Sequence, residues 1–342
     1  MPARRIRTGV FGASGYAGAE LLRLAAGHPN LDVALATGDS QAGTRAADLY
    51  PSLAAAYPDL VYGPADPAAA DGLDLVFLAL PHGSSQDLVP DLRKRVGVIV
   101  DLAADFRLKD LAQYPRWYGD EHRHPDLLGE AAFGIPELFR PSIVGATLVA
   151  AAGCHVTAAA LALAPLVAAG VIDPAGIVVN SITGVSGAGR APKATTQFCT
   201  VDGDVTAYGL LAHRHTPEIE QAIGGGQVLF TPHLAPLNRG ILATCYARPA
   251  GDQAPDPLRI LAATYAQEPF MVVNERSPST KSTLGANTAH LTARYDERTG
   301  WVVAICALDN LVKGASGQAV QCANLALGLP ETAGLAVVGV YP

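Results

Sequence analysis

The chain is short of several things that would point to particular protein classes. Among its 342 residues there are five cysteines, an odd number with no CxxC spacing, so no disulfide framework is encoded. This usage fits a reducing compartment, where a thiol is either core filler or a nucleophile. Positive charge is in deficit, with 24 Lys and Arg against 31 Asp and Glu, for a net charge of −7. A polyanion-binding surface is thereby excluded and nucleic acid is not an expected partner, although a local basic pocket can still hold one phosphate-bearing ligand. No apolar run is long enough for a membrane: the most apolar stretch, Thr147–Val171, is broken by Gly153, Cys154, His155 and Pro165. It reads as a buried strand followed by a helix. The basic start Met1–Arg7 runs directly into a short strand and lacks the apolar region of a signal peptide, so a cytoplasmic location is expected. Aromatics make up only 6% of the chain, and there is no internal repeat and no low-complexity linker. What is present is 49% hydrophobic side chains, 35 glycines and 25 prolines. That composition supports a large core with many turns, and the length suits two domains.

The first third alternates strands and helices. Ile6–Phe11, Leu31–Ala36, Asp74–Leu80 and Val96–Val100 read as strands, with helical spacing over Tyr16–Ala26 and Ser84–Arg95. Continuous apolar strands separated by helices predict an α/β fold with a parallel sheet covered on both faces. From about residue 176 the strands come closer together and partly alternate: Val178–Thr183, Val228–Thr231, Ile241–Ala247, His290–Tyr295 and Trp301–Leu308. A mixed or antiparallel sheet is expected there, within an α+β domain. The boundary falls near Gly153, giving domains 1–152 and 153–313, and the helical segment within 314–342 is expected to pack back on the first.

Directly after the first strand stands Gly12-Ala13-Ser14-Gly15-Tyr16-Ala17-Gly18, followed at once by a helix. Glycines at such a turn permit a tight bend and let the backbone approach a pyrophosphate, whose charge the helix N-terminus favours. The turn predicts a Rossmann-type dinucleotide-binding domain, with Gly12, Ser14, Gly15, Tyr16 and Gly18 at the cofactor. The second strand is expected to end at Asp39, where an acidic residue ordinarily binds a ribose 2′-hydroxyl; Ser40 and Arg45 follow and can offset it. From these residues NAD and NADP both remain open.

Cys154, in Gly153-Cys154-His155-Val156-Thr157, joins an apolar strand to a helix. A thiol at a helix N-terminus is stabilised as thiolate by the dipole and by amides that can also hold an oxyanion. Cys199, Cys245, Cys306 and Cys322 lie in apolar or helical runs and read as packing. The densest polar cluster, His213-Arg214-His215-Thr216-Pro217-Glu218, begins a helix and offers a histidine as proton carrier. No third ligand accompanies the two histidines at metal-binding spacing, so no metal is expected. Arginine forks suit carboxylate and phosphate groups, and Arg107 and Arg239, both at turns, are the candidates for a substrate anion. A nicotinamide site with a thiolate and a histidine points to an acyl-thioester route between an aldehyde and an activated acid.

These residues place the chain close to a known family. It resembles the N-acetyl-γ-glutamyl-phosphate reductases, arginine-pathway relatives of aspartate-semialdehyde dehydrogenase, almost end to end. The resemblance rests on Gly12–Leu22, Phe77–Gly83, Asp101–Lys109, Gly134–Leu138, Gly153-Cys154, Ser186–Arg190, His213–Glu218, Phe230–Thr244 and Ala307–Gln318. It implies that Cys154 is the nucleophile, His215 the acid/base and His213 a substrate contact. It also implies that Gly187 and Asn310 lie beside the cofactor, that the cofactor is NADP, and that the chain forms a homodimer or homotetramer. The reaction implied is NADPH-dependent reduction of N-acetyl-γ-glutamyl phosphate to its semialdehyde. One departure bears on the substrate: His155-Val156 stand where the family usually has Tyr-Pro. Relatives that reduce a carrier-protein-bound aminoadipyl phosphate also lack that pair, so a carrier-bound aminoadipyl or glutamyl phosphate is the alternative.

Overall fold

The computed structural model describes residues 5–251 and 254–341; the basic start at Met1–Arg4 and the terminal Pro342 lie outside them. The chain folds into two compact units. The first takes the chain up to Leu111, then Glu121–Ala152 and Ala315–Leu335. The second takes Ala112–Asp120, Gly153–Gly314 and the residues from Ala336 onward.

The first unit holds β1 (Ile6–Phe11), β2 (Leu31–Ala36), β3 (Leu75–Leu78), β4 (Val98–Asp101), β5 (Ala132–Gly134) and β6 (Leu148–Ala151). They form one parallel sheet in the order β2-β1-β3-β4-β6-β5. Every residue of β3, β4 and β6 is buried, as expected when helices cover both faces of a parallel sheet. Helix α1 (Tyr16–Ala26) buries Leu21, Leu22 and Leu24, and α2 (Ser84–Leu92) buries Val89 and Leu92. The late helix Gly317–Ala326 lies against β4, β5, β6 and α1, and Ser316 Oγ donates to the carbonyl of Ala17 at 2.8 Å. A π-helical turn, Val312–Ser316, leads into it, so the regular helix starts later than the sequence spacing suggests.

The second unit is built on β7 (Ile177–Gly184), β8 (Thr206–Ala207), β9 (Val228–Ala235), β10 (Ile241–Ala247), β11 (Met271–Val273), β12 (Ala289–Asp296) and β13 (Trp301–Leu308). The order is β11-β12-β13-β10-β7-β9-β8, with parallel pairs β7/β9 and β11/β12 in an otherwise antiparallel sheet. Three helices touch this sheet: α3 (Cys154–Ala168), α4 (His215–Ala222) and α5 (Pro257–Thr264). A helix apolar on all sides has to be buried on all sides, and α3 buries every residue from His155 to Leu163. Along β10 burial alternates strictly, with Ile241, Ala243, Cys245 and Ala247 buried and Leu242, Thr244 and Tyr246 half-buried. Tyr246 pairs across strands with Val178 and Val303, and Leu242 pairs with Ile182. This second face of the sheet therefore presents a largely apolar surface, with an open concavity lined by Val178, Tyr246, Trp301 and Val303 and edged by Asn180, Asp296 and Thr299.

Candidate active site

In the first unit the glycine turn has the packing its spacing predicts. Gly12 has φ +77°, and a side chain there would lie 2.3 Å from the carbonyl oxygen of Ala79. A Cβ on Gly18 would stand 2.3 Å from the Gly12 oxygen, so α1 can approach the turn only through glycine. Gly15 differs. Its nearest neighbour would be 3.5 Å away, an ordinary contact, so the space beside it is open to a ligand. No side chain caps α1 and its first turn carries no acidic residue, which leaves its terminal amides suited to a phosphate. Ser14 is buried with its hydroxyl on the carbonyl of Gly38, and Tyr16 is partly exposed at the first helical position. The second strand stops at Ala36, earlier than Asp39. Asp39 adopts φ +45° in a short 3₁₀ turn with Ser40, both exposed. Arg45 is held in a forked ion pair with Asp48.

The loop after β3 is fixed by carboxylates from the chain following β4. Asp105 accepts from the amides of Gly83 (2.7 Å) and Ser85 (2.9 Å) at the start of α2 and pairs with His82 Nδ1 at 2.6 Å. Ser85 Oγ donates to Asp101, whose complete burial, with Asp105 nearby, pushes its carboxyl up to about 8. Arg107 is buried, with Nε on the carbonyl of Ala151 and Nη2 on that of Leu102. At least two of its donors therefore brace the ends of β4 and β6.

In the second unit Cys154 is the first residue of α3, with Gly153 as an extended N-cap (φ −66°, ψ 151°). The helix begins at Cys154 itself, which places the thiol within its first turn. No side chain caps this terminus and no acid occupies its first turn, so its amides are directed to whatever charge forms at Cys154. The His215 imidazole sits against Gly153: a Cβ there would lie 2.3 Å from Nε2 and 2.7 Å from Cε1. Only a glycine at 153 lets the imidazole come this close to the backbone beside Cys154. From the other side Gly314 makes room for Cys154, since its Cβ would be 2.8 Å from that of the cysteine.

Behind this pair stands a histidine cluster. Ring centroids of His213 and His215 are 4.7 Å apart, and His155 lies 5.7 Å from His215 and 5.9 Å from His213, with Phe230 against both His155 and His213. The His215 amide donates to Nδ1 of His213 at 3.1 Å. Burial lowers His213 to about 4, helped by Arg214, and lowers His155 to about 3, helped by His213. Both rings are neutral at physiological pH. Glu218, fully buried one turn after His215 on α4, accepts from the Gly153 amide (3.3 Å) and from the Tyr118 hydroxyl (3.0 Å).

Asn310 joins three segments of this unit. Its Oδ1 accepts from the Gly240 amide at 2.7 Å and its Nδ2 donates to Ser186 Oγ at 3.0 Å, one residue before Gly187. Arg239 is 3.7 Å from the buried carboxylate of Asp309, which also takes the amides of Gly285, Leu311 and Val312. The second unit thus brings together Cys154, His213 and His215, and separately Gly187, Asn310 and Arg239. Sequence reasoning gave no role to Glu218, Tyr208 or Ser181. The i, i+3 spacing of His215 and Glu218 is the one signal that could have flagged the first; the other two are brought in by sheet and loop geometry. The reading of Cys199 as packing is corrected, because it is exposed, whereas Cys245, Cys306 and Cys322 are buried.

Comparisons with known proteins agree with this architecture. Residues 7–146 match the semialdehyde dehydrogenase NAD binding domain, and residues 154–310 match the semialdehyde dehydrogenase dimerisation domain. A curated N-acetyl-gamma-glutamyl-phosphate reductase from Salinispora tropica is 50% identical over 98% of this chain and 99% of its own. Another, from Symbiobacterium thermophilum, is 46% identical over 98% and 99%. Among solved structures, aspartate semialdehyde dehydrogenase II of Vibrio cholerae, complexed with ASA, has a TM-score of 0.72 at 14% identity, covering 95% of this chain and 99% of that one. The Candida albicans aspartate semialdehyde dehydrogenase with NADP gives 0.68 at 14%, covering 94% and 98%. At such identities the structures speak for the fold. No helix among the described residues is long and apolar enough to cross a membrane. The chain is an enzyme with a pyridine-nucleotide-binding domain, and it belongs to the N-acetyl-gamma-glutamyl-phosphate reductases of the semialdehyde dehydrogenase family.

Proposed function

We propose that the protein reduces N-acetyl-γ-glutamyl phosphate to N-acetylglutamate 5-semialdehyde with NADPH, through a thioester on Cys154, as a step of arginine synthesis in the cytoplasm. The observation that carries this reading is the seat of the His215 imidazole on Gly153, next to a cysteine in an uncapped helix turn. The Cys154 thiolate attacks the acyl carbon, and the amides of the α3 first turn stabilise the oxyanion. The C–O bond to phosphate breaks, leaving the acyl group on sulfur and releasing inorganic phosphate. When bound, the dinucleotide supplies a hydride to the acyl carbon. The resulting oxyanion reforms a carbonyl, the C–S bond breaks, and His215 manages the proton of the returning thiol.

Gly12, Ser14, Gly15, Tyr16 and Gly18 would hold the pyrophosphate end of the dinucleotide, and Ser40 its adenosine ribose. The open side of Gly15 and the uncapped α1 terminus support that assignment. Gly187 and Asn310 are assigned to the cofactor by the family resemblance. His213 and Arg239 serve as substrate contacts, whereas Arg107 acts mainly as a brace for the carbonyls of Ala151 and Leu102. A second copy of the chain covers the apolar face of the second sheet, around Val178, Leu242, Tyr246 and Val303, making a homodimer or a homotetramer. The alternating exposure of β10 and the match to a dimerisation domain support this.

The test is the reverse reaction, phosphate-dependent oxidation of N-acetylglutamate semialdehyde with NADP. Robust turnover on the free semialdehyde is expected. Silence on it, with activity on a carrier-protein conjugate of an aminoadipyl or glutamyl semialdehyde, would establish the carrier-bound alternative instead.

A further inference from the structure

His155, the residue that departs from the family's usual tyrosine, is buried at 2% exposure, and both its ring nitrogens are engaged. Nδ1 is 2.7 Å from Ser181 Oγ on β7, and Nε2 is 3.0 Å from the hydroxyl of Tyr208 beyond β8. A neutral imidazole has one N–H and one acceptor nitrogen, so the two hydroxyls must play opposite roles. Ser181 decides which. It is fully buried, and its only side-chain hydrogen bond among the described residues is to His155. A buried hydroxyl proton with no acceptor is costly, so Ser181 donates to Nδ1. Nε2 then carries the proton and donates to the Tyr208 oxygen. The phenolic proton of Tyr208 is left to point to an acceptor outside this chain of bonds.

Resting on the function proposed above, we infer that Ser181 and His155 are positioning residues that fix Tyr208 as a hydrogen-bond donor to the acyl phosphate or to the oxyanion formed at Cys154. Three features place Tyr208 at that site. Its ring packs 5.5 Å from His213, and the same His155 ring that holds it lies 5.7 Å from His215. Burial, with the charge of a Cys154 thiolate nearby, also raises its phenol above the ordinary range, so it stays a donor while the nucleophile is ionised. Tyr208 is only half-buried, as a group that meets substrate should be. The two side chains it touches, His155 and His213, both belong to this cluster.

Two measurements test this. In protein labelled with ¹⁵N-histidine, with the His155 signals assigned by their loss in His155→Gln, His155 should show a protonated Nε2 and a bare Nδ1. A protonated Nδ1 would overturn the inference, and this readout is independent of which acyl phosphate is the substrate. In kinetics, Tyr208→Phe should lower kcat/KM about 10- to 100-fold, the range for a hydrogen bond to a charged group. His155→Phe should cost about as much, and the double variant little more than either single one. Ser181→Ala should shift His155 toward a mixture of tautomers with a smaller loss, which covers the case where His155→Phe does not fold. Additive losses, or an unchanged tautomer in Ser181→Ala, would refute the positioning role. Full activity in Cys154→Ser would instead refute the function on which it rests.

Discussion

Replacing Gly153 with alanine adds one methyl group, and the geometry says where its effect falls. The backbone at 153 (φ −66°, ψ 151°) is open to any residue, so alanine brings no backbone strain there. The Gly153 amide that donates to Glu218 is also kept. The methyl carbon, however, would stand 2.3 Å from Nε2 of His215, where about 3.5 Å is the ordinary approach of two heavy atoms. The ring must retreat by about 1 Å, and a misplacement of that size costs roughly 100-fold in turnover. The expected phenotype is a kcat lowered about 100-fold in the phosphate-dependent oxidation, with cooperative thermal unfolding retained and all five cysteines still counted by thiol titration after denaturation. The effect should run through His215 alone. In a His215→Ala background the same glycine substitution should therefore cost less than about threefold, the sign of two changes acting on one interaction. Gly153→Ala turnover within threefold of the parent would refute the Gly153–His215 arrangement, as would full additivity with His215→Ala.

Other expectations follow from the same geometry. Gly15→Ala meets nothing closer than 3.5 Å within the protein, so it should leave thermal stability unchanged while weakening dinucleotide binding at least about tenfold by fluorescence titration; unchanged binding would remove the turn from the cofactor site. Gly18→Ala, with its Cβ 2.3 Å from a backbone oxygen, should lower stability and binding together. His155 and His213 are neutral in the fold, with values near 3 and near 4, but titrate near 6.5 in the unfolded chain. The unfolded state then binds more protons below pH 6.5, so their contribution is whole above that pH and falls as acid is added. Between pH 8 and pH 5 each removes ~2 kcal/mol of stability. Urea unfolding of His155→Gln should show a correspondingly flatter pH dependence than the parent, and an identical slope would contradict the burial of a neutral His155.

Much of the fold could be read from the sequence because two periodicities were strong. The unbroken apolar runs at Val76–Leu78 and Val98–Val100 belong to strands covered on both faces, while the partial alternation of the later strands becomes a strict alternation of burial in Ile241–Ala247, whose sheet is covered by helices on one. Short strands such as Ala132–Gly134 and Thr206–Ala207 gave no such signal, since two or three residues cannot display a period. The strand Leu31–Ala36 has the bounds its apolar run suggests; what nothing in Thr37-Gly38-Asp39 announces is that Asp39 lies beyond the strand end and turns left-handed. At the candidate site, Cys154 stood out by its strand–turn–helix setting, whereas the polar run offered only a choice of histidines, and it is the family resemblance that singles out His215. Arg107 was legible only as an arginine; its burial against the carbonyls of Ala151 and Leu102 depends on two strand ends far apart in sequence. The partnership of His155 with Ser181 and Tyr208 joins positions 26 and 53 residues away, and no local pattern encodes it.

The covalent route through Cys154 can be tested in a single mixing experiment. Enzyme, NADP and an excess of N-acetylglutamate semialdehyde are combined without phosphate, and NADPH is followed by absorbance. With no acceptor to release the acyl group, a burst of one NADPH per Cys154 should appear and then stall. Intact-protein mass should rise by the N-acetylglutamyl group, and added phosphate should discharge it and restart turnover. Cys154→Ser should give no burst. A burst in Cys154→Ser, or steady turnover by the parent enzyme at the same rate with and without phosphate and no mass change, would contradict the thioester.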